Sequence, residues 1–459
     1  MEQEIFNVSH PFEHGGNIYR LAEELKMQER KVIDFSASIN PLGISKKVKV
    51  EIRKHLKHLH NYPDPEAKRL RKWLAQYHGI EQDMILCGSG STELIYLIAR
   101  TLMPRRVLIP APTFSEYERA IALQNITPLH HPLPQGEEDS LGIPASLTGG
   151  NSLKIPTLLT EEGKSSEIPS PLRGEGKGGG VIPGFSHSNR IDIRHLMLNK
   201  EKGFEINPDE FIKTMEGKLP TPPLPPFSKG RQGGINNSPL ITYNSSLSFD
   251  VAFLCNPNNP TGRLLVKHDV KRIADAAKEL KCYLVVDEAF IDFCPDESVI
   301  KDVGNNPYLI VLRTMSNFYA IPGLRIGYGV FPVHLINFMK GLKEPWTVNN
   351  LAQRAAVIAL KDRVFKKETT KLIAEEKRFL EKNFRKNGIE FFNSAANFYL
   401  LRMDNAREIR NYLMKKGILV RECSNFKGLD STYLRISVKS HRENTILIKE
   451  LASLLKRQG

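Results

Sequence analysis

The sequence predicts an α/β protein, with a large domain built on a mostly parallel sheet and a smaller α+β domain after it. Two observations carry the large domain. From residue 62 onward, strand-like apolar runs alternate with helix-like amphipathic ones, the order expected of βαβ units. Within that stretch "DVAFLCNPNNPTG", "CYLVVDEAFIDF" and "YLIVLRTMSNFY" are rich in Val, Leu and Ile, as are strands covered on both faces. A third observation carries the small domain: from about residue 350, long charged helical patterns (351–387) give way to short strands such as "NFYLLRM" and "TYLRISV".

In chain order, 17–31 and 44–58 read as short amphipathic helices. They flank "VIDFSASINPLG", a strand and turn closed by Asn40, Pro41 and Gly43. "MILCGSGSTELIYLIARTL" reads as a strand end, a Gly-rich turn and a buried helix, and "RRVLIPAPTFSEYERAIAL" as a strand followed by a helix. Between about 137 and 248 the pattern breaks. "SEIPSPLRGEGKGGGVIPG" and "GKLPTPPLPPFSKGRQGGINN" are Pro/Gly-rich and aperiodic, with too little apolar surface to offset the entropy of ordering. Disordered insertions are therefore predicted at about 137–202 and 217–248, with "GFEINPDEFIKTM" between them regaining a strand-helix look. The predicted division is an N-terminal segment (1–44) packing on the small domain, a large domain (45–335) and a small domain (336–459).

Of the 459 residues, 41% are hydrophobic and 25% charged, close to the soluble average. No apolar run approaches the roughly 18 residues of a membrane span. The opening "MEQEIFNVSHPFEHGG" carries acidic residues and no apolar core, unlike a targeting segment. A cytoplasmic protein without a membrane partner is expected. Cys87, Cys255, Cys282, Cys294 and Cys423 form no CxxC pair, which argues against a disulfide framework or a metal site. The net charge of +14 lacks the helix-turn-helix or aromatic-interleaved stripe of a nucleic-acid binder. A solvated basic surface that favours small phosphorylated molecules is the expectation.

Several short motifs could carry chemistry, though each has a plainer reading alone. "GSGSTE" (Gly88–Glu93) could cradle a phosphate at a helix N-terminus or be a tight turn. "NPNNPTG" could be a turn. "VVDEAF" sets Asp287 at the end of a buried strand, where a carboxylate needs a partner. Together, over roughly 35–135 and 249–440, these motifs resemble the pyridoxal-phosphate (PLP) dependent class I/II aminotransferase superfamily of the aspartate aminotransferase fold. Within it "HGGN", "DFSASINPLG", "DEAFIDF", "EPWTVNNLAQ" and "RECSNFKGL" resemble the threonine-phosphate decarboxylases of cobalamin biosynthesis, relatives of the histidinol-phosphate aminotransferases.

The resemblance implies pyridoxal 5'-phosphate as cofactor, a phosphorylated amino acid as substrate and a homodimer. Gly90, Ser91, Thr92, Thr314, Ser316 and Arg325 would hold the cofactor phosphate, Phe114 would stack on the ring, and Asn259 would bond its phenolic oxygen. Asp287 would pair with the ring nitrogen and keep the ring an electron sink. Tyr62 of "HNYPDP" would reach the phosphate of a neighbouring subunit. His14, Asn40, Arg421 and Arg435 would bind substrate, Arg435 by its carboxylate; alone, Arg435 could be a surface strand residue and His14 a turn residue. Phe290 stands where the aminotransferases usually carry Tyr. In "RTMSNFYAIPGLRIGYG" the Schiff-base lysine is replaced by Asn317. An amide is a poor nucleophile with no basic lone pair, so impaired decarboxylation and noncovalent PLP are expected. A histidinol-phosphate-type aminotransferase and a non-catalytic binder of PLP or a phospho-amino acid are the alternatives.

Overall fold

The computed structural model describes residues 15–125, 191–218 and 248–458. Among these residues the strands are β1 (Ile33–Asp34), β2 (Ile85–Gly88), β3 (Arg106–Ala111), β4 (Asp192–Met197), β5 (Val251–Cys255), β6 (Tyr283–Asp287), β7 (Leu309–Thr314), β8 (Gly327–Val330), β9 (Glu390–Phe391), β10 (Phe398–Arg402), β11 (Ile418–Leu419), β12 (Arg421–Glu422) and β13 (Tyr433–Ser437). A 7-stranded sheet runs in the order β2-β8-β7-β6-β5-β3-β4. All its pairings are parallel except those of β8, which is antiparallel to both β2 and β7. The α/β class and the mixed, mainly parallel sheet are as the sequence predicts.

Successive side chains of a strand point to opposite faces, and here the two faces bury separate cores. Leu254, Leu284, Val286 and Val311 enter one; Phe253, Val285, Ile310 and Leu312 enter the other. The helix Lys267–Glu279 buries Val270, Ile273 and Ala277 on the first face. The helix Gly90–Leu102 buries Leu94, Ile95 and Ile98 on the second. Carried to the strand ends, the same phase sends Cys255, Asp287 and Thr314 toward the second face, and Glu288 and Arg313 toward the first.

The second sheet, β12-β13-β10-β9, is antiparallel. The helices Arg363–Lys386, Ala406–Lys415 and His441–Gln458 contribute Leu380, Ile409 and Leu447 to its core. The strand β1 pairs with β11, and Phe35 just after it enters that core too. Helices Val333–Leu342 and Asn350–Lys361 instead pack into the cores of the large sheet, through Leu335 and Ile336 on the second face and Ala352 and Ala355 on the first.

Two expectations are corrected. The strand β4 lies inside the segment predicted to be a disordered insertion. It is paired residue for residue with β3, and its apolar signal is weak because Asp192, Arg194 and His195 interrupt it at an edge. "GFEIN" forms no strand: Phe204 takes a left-handed backbone (φ 60), while the helix Pro208–Met215 begins where expected, capped by Asn207. The first Pro/Gly-rich tract, and the second from residue 219, lie outside the described residues.

Candidate active site

The C-terminal ends of β5, β6 and β7, the start of the helix Gly90–Leu102 and the pair β12–β13 open on one cleft of about 220 Å³. At one end Gly90 opens the helix with a backbone that favours glycine (φ +79), and a Cβ there would stand 2.5 Å from Arg325 Nη2. The guanidinium therefore lies against the helix N-terminus. Arg325 is itself left-handed (φ 51), a conformation that costs a non-glycine residue free energy and is common at functional sites. Ser91, Thr92, Thr314 and Ser316 line the same end, and Thr314 Oγ1 donates to Ser316 Oγ at 3.1 Å. Helix-end amides, hydroxyls and an arginine make an anion site.

Deeper in, Asp287 is 2% exposed. Its carboxylate accepts from the Tyr117 hydroxyl at 2.7 Å and from the Ala289 N–H at 3.0 Å. Burial pushes its pKa up to about 6, against the opposing pull of Tyr117. A buried carboxylate so placed suits a protonated ring nitrogen as its counter-charge. Phe114 and Cys255 line the walls.

At the other end Arg421 and Arg435 are cross-strand partners in β12 and β13. Both are buried and both line the cleft. Arg435 donates to the Asn259 side-chain oxygen and, at 2.6 Å, to the Ser36 carbonyl. Its Nε has no hydrogen-bond partner. Burial, and then Arg421, lower its pKa to about 10. Two adjacent buried cations, one with an unmet donor, call for an anionic ligand. Phe290 also lines the cleft and meets Phe398 edge-on, ring centroids 5.0 Å apart; it offers no hydroxyl.

Asn317 sits in the cleft wall, and its Nδ2 donates to the Ala289 carbonyl at 3.4 Å. Among the described residues no lysine lines the cleft. The residues thus fit pyridoxal phosphate at its phosphate and its ring, and offer no amine to its aldehyde.

Of the residues singled out from sequence, Gly90, Ser91, Thr92, Phe114, Asn259, Asp287, Thr314, Ser316, Asn317, Arg325, Arg421 and Arg435 converge on this cleft. Asn40 does not line it. Its amide donates to the Phe318 carbonyl and to Thr369 Oγ1, each at 2.7 Å, and its N–H bonds the Asn317 carbonyl at 2.9 Å. That makes Asn40 a clasp on the backbone of 317–318 rather than a ligand contact. Tyr62 is 81% exposed against Trp346, ring centroids 5.1 Å apart, outside the cleft. His14 lies outside the described residues. Sequence reasoning missed Tyr117; the signal was a phenol three residues after Phe114 on a buried helix face, where its hydroxyl must find a partner. Ser36 was missed because it acts through its backbone carbonyl.

Comparison with known proteins places this geometry. A family model described as "Aminotransferase class I and II" matches residues 30–140 and 237–451. The threonine-phosphate decarboxylase of Salmonella typhimurium is 30% identical over 452 residues, covering 96% of this chain and 96% of that protein. The histidinol-phosphate aminotransferase of Caldanaerobacter subterraneus is 28% identical over 400 residues, covering 87% and 85% respectively. In fold, the chain is similar to the histidinol-phosphate aminotransferase from Sinorhizobium meliloti, solved in complex with pyridoxal-5'-phosphate, with a TM-score of 0.69, 17% identity and coverage of 99% of this chain and 100% of that one. With more than half its length matched by that family model, the chain belongs to the class I and II aminotransferase family.

Proposed function

We propose that the cleft binds pyridoxal phosphate without a covalent bond and takes L-threonine O-3-phosphate, and that decarboxylation to aminopropanol phosphate is impaired by Asn317. The observation that carries this reading is the meeting of the Gly90–Arg325 anion site, Asp287 and the Arg421–Arg435 pair in one cleft. Gly90, Ser91, Thr92, Thr314, Ser316 and Arg325 hold the cofactor phosphate. Phe114 covers the ring, Asn259 bonds its phenolic oxygen, and Asp287, fixed by Tyr117, faces its nitrogen. Arg435 grips the substrate carboxylate and Arg421 its phosphate. Asn40 sets the height of the backbone that carries Asn317. Tyr62 extends to the phosphate of a second subunit, so the working unit is a homodimer. The large domain carries the cofactor, and the N-terminal segment packs on the small domain.

When bound, pyridoxal phosphate supplies an electron sink for the negative charge left at Cα as carbon dioxide departs. The chain's own contribution is placement. The arginines hold both anionic ends of the substrate, and the apolar walls at Phe114 and Phe290 limit water. At position 317 no group takes up or returns a proton, since an amide is not basic near neutral pH. Phe290, without the hydroxyl usual in aminotransferases, and the 30% identical threonine-phosphate decarboxylase favour decarboxylation over amino transfer. The same Asn317 favours, as a second reading, a protein that binds these ligands without turning them over.

Asn317→Lys tests the proposal. Carbon dioxide and aminopropanol phosphate released from threonine phosphate should rise by several powers of ten, the scale of restoring a covalent group. Substantial activity in the unaltered chain would sink the impairment. A lysine variant that binds the cofactor covalently yet stays inactive would leave the non-catalytic binder. Preference for histidinol phosphate in calorimetric titration would reverse the substrate order.

A further inference from the structure

Position 317 is occupied by a group with its own directionality. The Ala289 carbonyl can only accept a hydrogen bond, so the Asn317 amide turns its Nδ2 to that oxygen, at 3.4 Å. That leaves Asn317 Oδ1, also an acceptor only, to face the cleft that both residues line. Oδ1 has no protein donor among the described residues. The Ala289 oxygen keeps a second lone pair. Two acceptors therefore stand together at the place where a lysine amine would stand. The nearest cations of the cleft are the guanidinium groups of Arg325, Arg421 and Arg435, of which Arg435 is committed to Asn259 and Ser36. Arg421 donates to Asn425 Oδ1 and Arg325 to the Pro322 carbonyl.

We infer that this corner selects the aminated form of the cofactor, pyridoxamine 5'-phosphate, whose ammonium group can donate to Asn317 Oδ1 and the Ala289 carbonyl. The inference rests on the cofactor reading above and sharpens it. An aldehyde oxygen brought to the same corner meets two acceptors. Its one available donor there is the second N–H of Asn317 Nδ2, a neutral one. A hydroxyl can donate one neutral hydrogen bond there, whereas an ammonium donates charge-assisted ones, which are about twice as strong. Selection thus follows from acceptors in place of an amine, and no bond is made or broken.

The test compares pyridoxamine phosphate with pyridoxine phosphate, which has the same ring and phosphate, carries a hydroxyl in place of the amine, and cannot condense with surface lysines. Calorimetric titration of the unaltered chain should give a dissociation constant about tenfold lower for the amine, the scale of one charge-assisted hydrogen bond exchanged for a neutral one. Asn317→Leu leaves only the Ala289 carbonyl to accept and should cut the ratio severalfold, while continued binding of pyridoxine phosphate reports an intact site. Should leucine weaken pyridoxine phosphate as well, Asn317→Ala serves as the second variant under the same criterion. A ratio at or below one in the unaltered chain, or a ratio that the substitutions leave unmoved, overturns the inference and spares the cofactor reading. Failure to bind either compound overturns both. Selectivity for the amine with no binding of threonine phosphate would support the inference and remove only the substrate.

Discussion

Asp287 and Glu288 are neighbours in sequence with opposite employment, and the alternation of one strand decides it. Asp287 faces the cleft, held by a tyrosine hydroxyl and one backbone N–H. Glu288 faces the other side and is closed into a network. It accepts from Ser298 Oγ at 2.7 Å and the Val299 N–H at 2.8 Å, and stands 2.9 Å from Arg313 Nε, whose N–H is not aligned on the oxygen. Arg313 also pairs with Asp292 at 3.1 Å. Burial alone would lower the Arg313 guanidinium, but Glu288 and Asp292 together hold it above its ordinary value. Burial raises Glu288, against the pull of Arg313. One carboxylate is compensated within the chain; the other is left for a ligand to compensate. The difference teaches that function here sits where the protein leaves a charge half-satisfied.

The strongest way to break this contrast is to remove the cation from the compensated side. Arg313→Met should lower the unfolding free energy by about 3–5 kcal/mol, because Glu288 and Asp292 would remain buried without it. Thermal and denaturant melting would read the loss. Pyridoxine phosphate affinity of the protein that remains folded should change little. A variant as stable as the unaltered chain would mean that the network is solvated and contributes nothing.

On the cleft side the sign reverses. The folded pKa of Asp287, about 6 against 3.8 for the free carboxyl, means that folding favours the protonated form. Its stability contribution is fully present below 3.8 and is lost as pH rises through about 6. Asp287→Asn should therefore stabilise the ligand-free chain at neutral pH, by on the order of 1–3 kcal/mol. The same change should weaken binding of pyridoxine phosphate by roughly a hundredfold, since the proposed charge pair with the ring nitrogen would be lost. Destabilisation with unchanged affinity would place Asp287 on the structural side instead.

Both halves of this contrast were partly legible in the sequence. The phases of "FLC", "VVDE" and "VLRT" fix which strand-end residues share a face, because each strand is apolar throughout and its alternation can be carried past its end. The glycine before Ser91 was legible because only glycine adopts its backbone without cost. What stayed hidden is long-range. Tyr117 reaches Asp287 across 170 positions, Asn40 clasps Thr369 across 329, and no local spacing announces either. The strand β4 was hidden because edge strands need little apolar sequence when a neighbour supplies the ladder.

Tyr117→Phe should give the smallest effect and sharpen the contrast most finely. The phenol is fully buried beneath Phe253, the two rings stacked with centroids 4.8 Å apart, so phenylalanine keeps the packing and removes only the hydroxyl. Asp287 then loses its one side-chain donor and keeps the Ala289 N–H. A carboxylate with fewer donors is harder to ionise, so its pKa should move up from about 6. With Asp287 paired to the ring nitrogen as proposed, the complex with pyridoxine phosphate would hold one proton between the two groups, while the separate partners at low pH hold two. Affinity should therefore fall about tenfold for each pH unit below the Asp287 pKa, and that falling limb should shift to higher pH in the variant. At pH 8, where both carboxylates are ionised, the loss should be only about 1 kcal/mol. A limb that stays in place would show that Tyr117 positions the helix and leaves the charge on Asp287 untouched.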